Sequence, residues 1–162
     1  MAPRIRQATG LDLEAMARMK NAAWRESYPG LVPDDILASL DDRVDGTVAL
    51  WREQLLNGVY LWVVTDGDDV VGLSQALPGE DDDIDIPLEL TMMYLLDRVK
   101  GTDLSRALLW TTIGDADAYL WVLADNTRAQ AFYAKHGFVA DGARRVSARS
   151  RAEQIRMARR SE

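Results

Sequence analysis

Leu120-Trp121-Val122-Leu123-Ala124-Asp125-Asn126-Thr127-Arg128-Ala129-Gln130-Ala131-Phe132-Tyr133-Ala134-Lys135-His136-Gly137-Phe138 is the stretch that decides the fold, because its hydrophobic period changes midway. Tyr119 to Ala124 is a short apolar run of strand type. Asn126 then offers an amide side chain suited to cap a helix. Ala129, Phe132, Tyr133 and His136 follow at i, i+3, i+4 and i+7, a single apolar stripe on a helix from Asn126 to His136. Gly137 stands where a left-handed residue ends such a helix, and Phe138 supplies the accompanying apolar contact. Phe132 and Phe138 read as core, and His136 as a helix-end histidine. Tyr133 lies about two turns after Asn126, so cap and phenol share one side. Core packing alone also accounts for a tyrosine there.

Upstream, Pro87 to Leu96 is a longer apolar strand, dense enough to be central, and Leu104 to Ile113 reads as a helix. Lys100-Gly101-Thr102-Asp103-Leu104-Ser105-Arg106 joins them at a helix N-terminus, where backbone N–H groups and the dipole favour phosphate. An ordinary strand-to-helix turn would also use Gly101. Val59 to Thr65 and Val70 to Leu77 form a hairpin across Asp66-Gly67-Asp68-Asp69, followed by an acidic loop at 80–85. Arg4 to Ala8 is a first strand, Thr9 caps a helix over Leu11 to Glu26, and Asp34 to Leu40 and Val48 to Leu56 are helical. Val139 and Ile155 to Ala158 lie in two final strands. Consecutive strands followed by alternating strand and helix predict an α/β protein with a mixed sheet and helices on both faces. No repeat or linker divides the chain, so one domain over residues 1–162 is expected.

Composition narrows the chemistry. The 162 residues hold no cysteine and one histidine, His136, which excludes thiolate metal sites, a cysteine nucleophile and multi-histidine metal sites. No metal cofactor is expected. No apolar run approaches the ~18 residues of a membrane span and no signal-like segment opens the chain, so a cytoplasmic protein without a membrane partner is expected. Residues 1–140 carry 12 basic and 23 acidic side chains, whereas residues 141–162 carry 7 and 3. An acidic body matches nucleic acid poorly, so no nucleic-acid partner is expected.

Taken together, the two helix starts resemble a known family. Met93-Tyr94-Leu95-Leu96-Asp97-Arg98-Val99-Lys100-Gly101-Thr102-Asp103-Leu104-Ser105-Arg106-Ala107-Leu108-Leu109 resembles the acyl-CoA pyrophosphate loop of the GNAT superfamily of N-acetyltransferases. Leu120 to Phe138 is similar to the family's next motif almost position for position, and Ala23-Trp24-Arg25-Glu26-Ser27-Tyr28-Pro29-Gly30-Leu31-Val32-Pro33 resembles a bacterial subgroup. The departures are Lys100 for glutamine or arginine, Asp97 for a common proline, and Asp103 and Ser105 at two small-residue positions. The resemblance implies the GNAT fold, a central, mostly antiparallel sheet flanked by helices. It also implies direct transfer of an acetyl group from acetyl-CoA to a primary amine.

By this resemblance, Tyr133 is the general acid that protonates the departing thiolate, and a backbone N–H near Leu95 receives the oxyanion. Acetyl-CoA contacts are expected from Met93, Tyr94 and Leu95, from Lys100, Gly101, Thr102, Asp103, Leu104, Ser105 and Arg106, and from Asn126. The Asp103 carboxylate, ~5–7 Å from the pyrophosphate, would oppose it by about 2–3 kcal/mol per charge pair before screening. Glu89 is the base expected from the strand pattern. It alternates with Thr91, Met93 and Leu95, and its apolar surroundings should raise its pKa. The acidic loop, with Glu26, Asp34 and Asp35, leans the acceptor toward a small cationic amine. The final strand offers an edge for a homodimer. The competing reading is a CoA-binding or partner-binding module with little catalysis.

Overall fold

Turn chemistry and alternation set up one half of the sheet. The computed structural model describes residues 2–161. Strand β1 (Arg4–Gln7) leads into a 3-10 turn at Gly10–Asp12, where the Asp12 carboxylate accepts from the Thr9 backbone N–H at 2.8 Å. This capping box displaces the start of helix α1 to Leu13, and α1 runs to Ser27. Helices α2 (Asp34–Ala38) and α3 (Val44–Leu56) follow, the latter entered through a 3-10 turn at Leu40–Arg43, which places its start four residues before the expected Val48. Strands β2 (Trp62–Asp66) and β3 (Asp69–Pro78) turn at Gly67, whose φ of +62° suits glycine.

Strand β4 (Leu88–Leu95), helix α4 (Asp103–Ile113), strand β5 (Ala118–Leu123), helix α5 (Thr127–Lys135) and strands β6 (Val139–Val146) and β7 (Glu153–Arg159) complete the chain. The seven strands lie in the order β1-β2-β3-β4-β5-β7-β6, antiparallel throughout except between β4 and β5. The last strand in sequence is therefore interior. The free edge on that side belongs to β6, which corrects the expected edge.

The faces of the sheet segregate by alternation. Val63, Leu73 and Met92 pack against Met16 and Ala17 of α1 and Trp51 of α3. Val64, Val71 and Leu95 pack on the opposite face around Leu108 of α4. Leu120, Val122 and Phe138 join that face through α5 residues Ala129, Phe132 and Tyr133.

Two departures from regular pairing shape the middle. Gln75 pairs with Met92 and Ala76 with Leu90, so β4 carries an extra residue at Thr91. The Thr91 hydroxyl donates to the Gln75 carbonyl at 3.0 Å and ties this bulge down. Strands β4 and β5 meet in register only at Glu89 and Tyr119. Beyond that pair the parallel strands diverge, and the gap opens toward their C-terminal ends.

Candidate active site

Two cavities occupy the gap and meet inside it. One, of about 460 Å³, lies among the end of β4, the start of α4 and the near face of α5. The other, of about 430 Å³, lies on the α1 side of the sheet, under Trp24 and Trp51. Met93, Leu95, Lys100, Asn126, Ala129 and Tyr133 line both. A group passing from one cavity to the other would cross beside the Tyr133 side chain.

The first cavity suits a polyanion. Gly101 adopts a φ of +76° and turns the chain into α4, and a Cβ there would meet nothing within 4 Å. Thr102 caps α4 by accepting from the Leu104 N–H at 3.2 Å, while its hydroxyl donates to the Val99 carbonyl. Ser105, buried in the first turn, lines the cavity together with Lys100, Arg128 and Lys135. A helix N-terminus with three cations beside it suits phosphate, and the carboxylates of Glu26 and Asp97 share its walls. Lys100 also donates to the Ser27 hydroxyl at 2.7 Å and pairs with Asp97 at 2.9 Å.

Of the residues expected to contact acetyl-CoA, Met93, Leu95, Lys100, Gly101, Ser105 and Asn126 line this cavity. Tyr94 points to the other side, where it lines the α1-side cavity and packs with Trp24 and Tyr28. Leu104 packs against the α4-side core. Thr102, Asp103 and Arg106 are outside the walls. The Asp103 side chain is 95% exposed and sits 3.5 Å from Arg106, so it faces solvent in the first turn of α4.

Asn126 caps α5, its side-chain oxygen accepting from the Ala129 N–H at 3.2 Å. That cap fixes the helix rotation that presents Tyr133 to the gap. Burial, with Tyr94 nearby, pushes the Tyr133 phenol well up, so it remains protonated. The Leu96 N–H donates to the Val71 carbonyl on β3. Successive N–H groups of a strand alternate in direction, so the Leu95 N–H points into the gap toward β5.

Glu89 is displaced from its expected face. The extra residue at Thr91 reverses the alternation, so Leu90 packs on the α4 side and Met92 on the α1 side. Glu89 therefore shares its face with Met92 rather than with Met93 and Leu95, and it lines the α1-side cavity. Burial raises its pKa and Asp81 adds to the rise, while the Tyr119 phenol and Arg145 offset part of it.

Much of the acidic loop is already paired within the chain. Arg156, buried in β7, donates to Asp81 at 2.9 Å, Asp83 at 2.6 Å and Asp141 at 2.6 Å, and Arg160 pairs with Asp85. Asp81 also accepts from the Trp121 indole N–H at 3.0 Å, and Asp35 is paired with Arg151. Glu26 accepts from the Asp97 backbone N–H. These pairings answer Asp81, Asp83, Asp85 and Asp35, whereas Asp34, Glu80 and Asp82 take part in no ion pair among the described residues. Sequence reasoning missed Arg156 and the cavity-lining Lys20, Gln54, Arg145 and Arg149. The excess of arginine after residue 141, opposite an aspartate run, was the available signal.

Among the described residues, no three His, Asp or Glu side chains converge as a metal site would require, and no helix is long and apolar enough to cross a membrane.

Residues 37–158 match the family model described as the acetyltransferase (GNAT) domain. A probable N-acetyltransferase of Mycobacterium tuberculosis is 28% identical over 152 residues, covering 86% of this chain and 81% of that one. In solved structures, the PaiA N-acetyltransferase of Thermoplasma acidophilum in complex with coenzyme A superposes with a TM-score of 0.73 at 15% identity, covering 99% of this chain and 100% of that one. YncA of Salmonella typhimurium with acetyl-CoA superposes with a TM-score of 0.69 at 20% identity, covering 98% and 93%.

Proposed function

The chain belongs to the GNAT acetyltransferase family, and from that premise we propose that it transfers the acetyl group of acetyl-CoA directly to the primary amine of a small molecule. The observation that carries this reading is the shared wall of Met93, Leu95, Asn126 and Tyr133 between a phosphate-suited cavity and the α1-side cavity. Lys100, Gly101, Ser105 and the α4 N-terminus would hold the pyrophosphate of acetyl-CoA, which supplies an activated thioester. The Leu95 N–H would donate to the acyl carbonyl oxygen.

Glu89 would attract the incoming ammonium and take its proton, directly or through a water. In this sense the acceptor is cationic at its nitrogen. Tyr133 would return a proton to the thiolate. The burial that disfavours a phenolate disfavours a thiolate in the same place, so it raises both pKa values together and does not by itself oppose the transfer. On this reading the protein is a single-domain cytoplasmic enzyme that uses no metal. It pairs as a homodimer along the β6 edge, where Val139 and Val146 are exposed.

Tyr133→Phe tests the reading, since it removes one hydroxyl and little packing. The expected outcome is a fall in kcat of ~10²–10⁴-fold with the acetyl-CoA Kd unchanged by calorimetry. Unchanged kcat would return Tyr133 to packing. Tight CoA binding without transfer to any amine would favour the binding module instead.

A further inference from the structure

The acceptor's own chemistry is written in the charges of the α1-side cavity, and this inference rests on the acetyl-transfer reading. Four cations line that cavity, Lys20, Lys100, Arg145 and Arg149, against one carboxylate, Glu89. Two of the four already have partners. Lys100 holds Asp97 and Ser27. Arg145 lies over the Trp121 ring at 4.3 Å, donates to Gln154 and acts on Glu89.

Lys20 and Arg149 remain. Among the described residues neither takes part in an ion pair. The Lys20 Nζ lies 5.6 Å from the Trp24 ring centroid, and the charges that act on it are Arg149 and Arg43, both positive. Burial first, and these two cations next, hold its pKa down to about 8. Lys20 is half-buried and Arg149 exposed; like charges this close raise each other's cost, and an anion placed between them offsets it.

A second observation concerns the same wall. The Trp24 indole N–H is buried and acts on the Tyr94 phenol, but without the geometry of a full hydrogen bond. A buried donor left unpaired is costly, and a ligand oxygen would satisfy it. The walls also carry the aromatic side chains Tyr28, Trp51, Tyr94 and Trp121, among amides and hydroxyls such as Gln54, Gln75 and Ser147.

We propose that the acceptor is a primary amine that also carries a carboxylate, the class of an amino acid. Lys20, Arg149 and the Trp24 indole N–H bind the carboxylate, the amine lies toward Glu89 and Tyr133, and the carbon skeleton packs on the aromatic walls.

The experiment compares the common α-amino acids, β-alanine and γ-aminobutyrate with their carboxamides, which keep size and amine but lose the anion. Putrescine and phosphoethanolamine complete the panel. Thiol release reports transfer, and calorimetry on the acetyl-CoA-loaded full chain reports binding. At least one free acid is expected to bind and to exceed its own amide in kcat/KM by about tenfold or more. Lys20→Met and Arg149→Gln should each abolish most of that preference through KM, with kcat and the acetyl-CoA Kd retained. Lys20→Glu should turn the preference toward putrescine.

Equal use of acid and amide, preference for putrescine or phosphoethanolamine by the wild type, or no acid bound at all would each overturn the proposal. Transfer to putrescine without acid preference would overturn it while leaving the acetyl-transfer reading intact. Failure to bind acetyl-CoA would overturn that reading first, and this one with it.

Discussion

Glu89 and Asp103 show how far one side chain's meaning depends on its direction. Glu89 is half-buried on the acceptor side, and burial with Asp81 beside it raises its pKa above the ordinary glutamate value. Its active form as a base is the carboxylate, so activity falls as pH drops through that raised pKa. The pH profile of kcat/KM should show a rising limb displaced above the usual glutamate range, and Glu89→Gln should abolish or displace it. Asp81, Glu80, Tyr119 and Arg145 act on the same carboxylate, so only loss of the limb in the Glu89 variant assigns it. Asp103 is the opposite case. As a near neighbour of pyrophosphate it would have weakened binding, and glycine in its place would have tightened it. Its side chain is 95% exposed in the first turn of α4 beside Arg106, where it complements the helix N-terminus. Asp103→Asn should leave the acetyl-CoA Kd within about twofold and cost about 0.3–1 kcal/mol of stability, read by urea denaturation.

At the scale of elements, the joints between strand and helix carry the fold's local economy. The β1–α1 joint is held by Asp12, which accepts from Arg6 at 2.8 Å through both oxygens and from the Thr9 N–H. The Arg6 hydrogen bonds lower its pKa from 3.8 to about 2 despite partial burial. A carboxyl whose folded pKa is depressed stabilises the fold above its unfolded pKa and loses that contribution as pH falls through the folded one. Part of the acid-induced loss of stability between about pH 4 and pH 2 is therefore assigned to Asp12. Asp12→Asn should flatten that part of a stability-against-pH curve measured in urea and lower stability at pH 7. The joint at β4 works differently. There the Thr91 hydroxyl fixes a bulge, and the bulge decides which cavity Glu89 enters.

Across the whole molecule, the acidic loop is pinned to the far end of the sheet by one buried arginine. Arg156 reaches Asp81 across 75 residues of sequence and Asp141 across 15. Arg156→Met should cost about 3 kcal/mol, because partly buried carboxylates lose their counter-charge. Asp83→Asn, at a more exposed partner, should cost much less, both by denaturant unfolding. The sequence alone determined what neighbouring residues decide among themselves. The Asn126 cap, the stripe through Tyr133, the Gly137 stop and the Asp66–Asp69 turn were all legible, because helix periods, caps and tight turns act within a few residues. With them came the family resemblance and the mixed sheet. Only the tertiary structure decided the interior position of the last strand, the face of Glu89, and which charges are spent and which are free. A one-residue bulge reverses every side chain beyond it, and a register slip leaves no mark on hydrophobic composition. Likewise, a run of aspartates looks the same in sequence whether solvent or Arg156 answers it, since that pairing exists only once strands distant in the chain lie side by side.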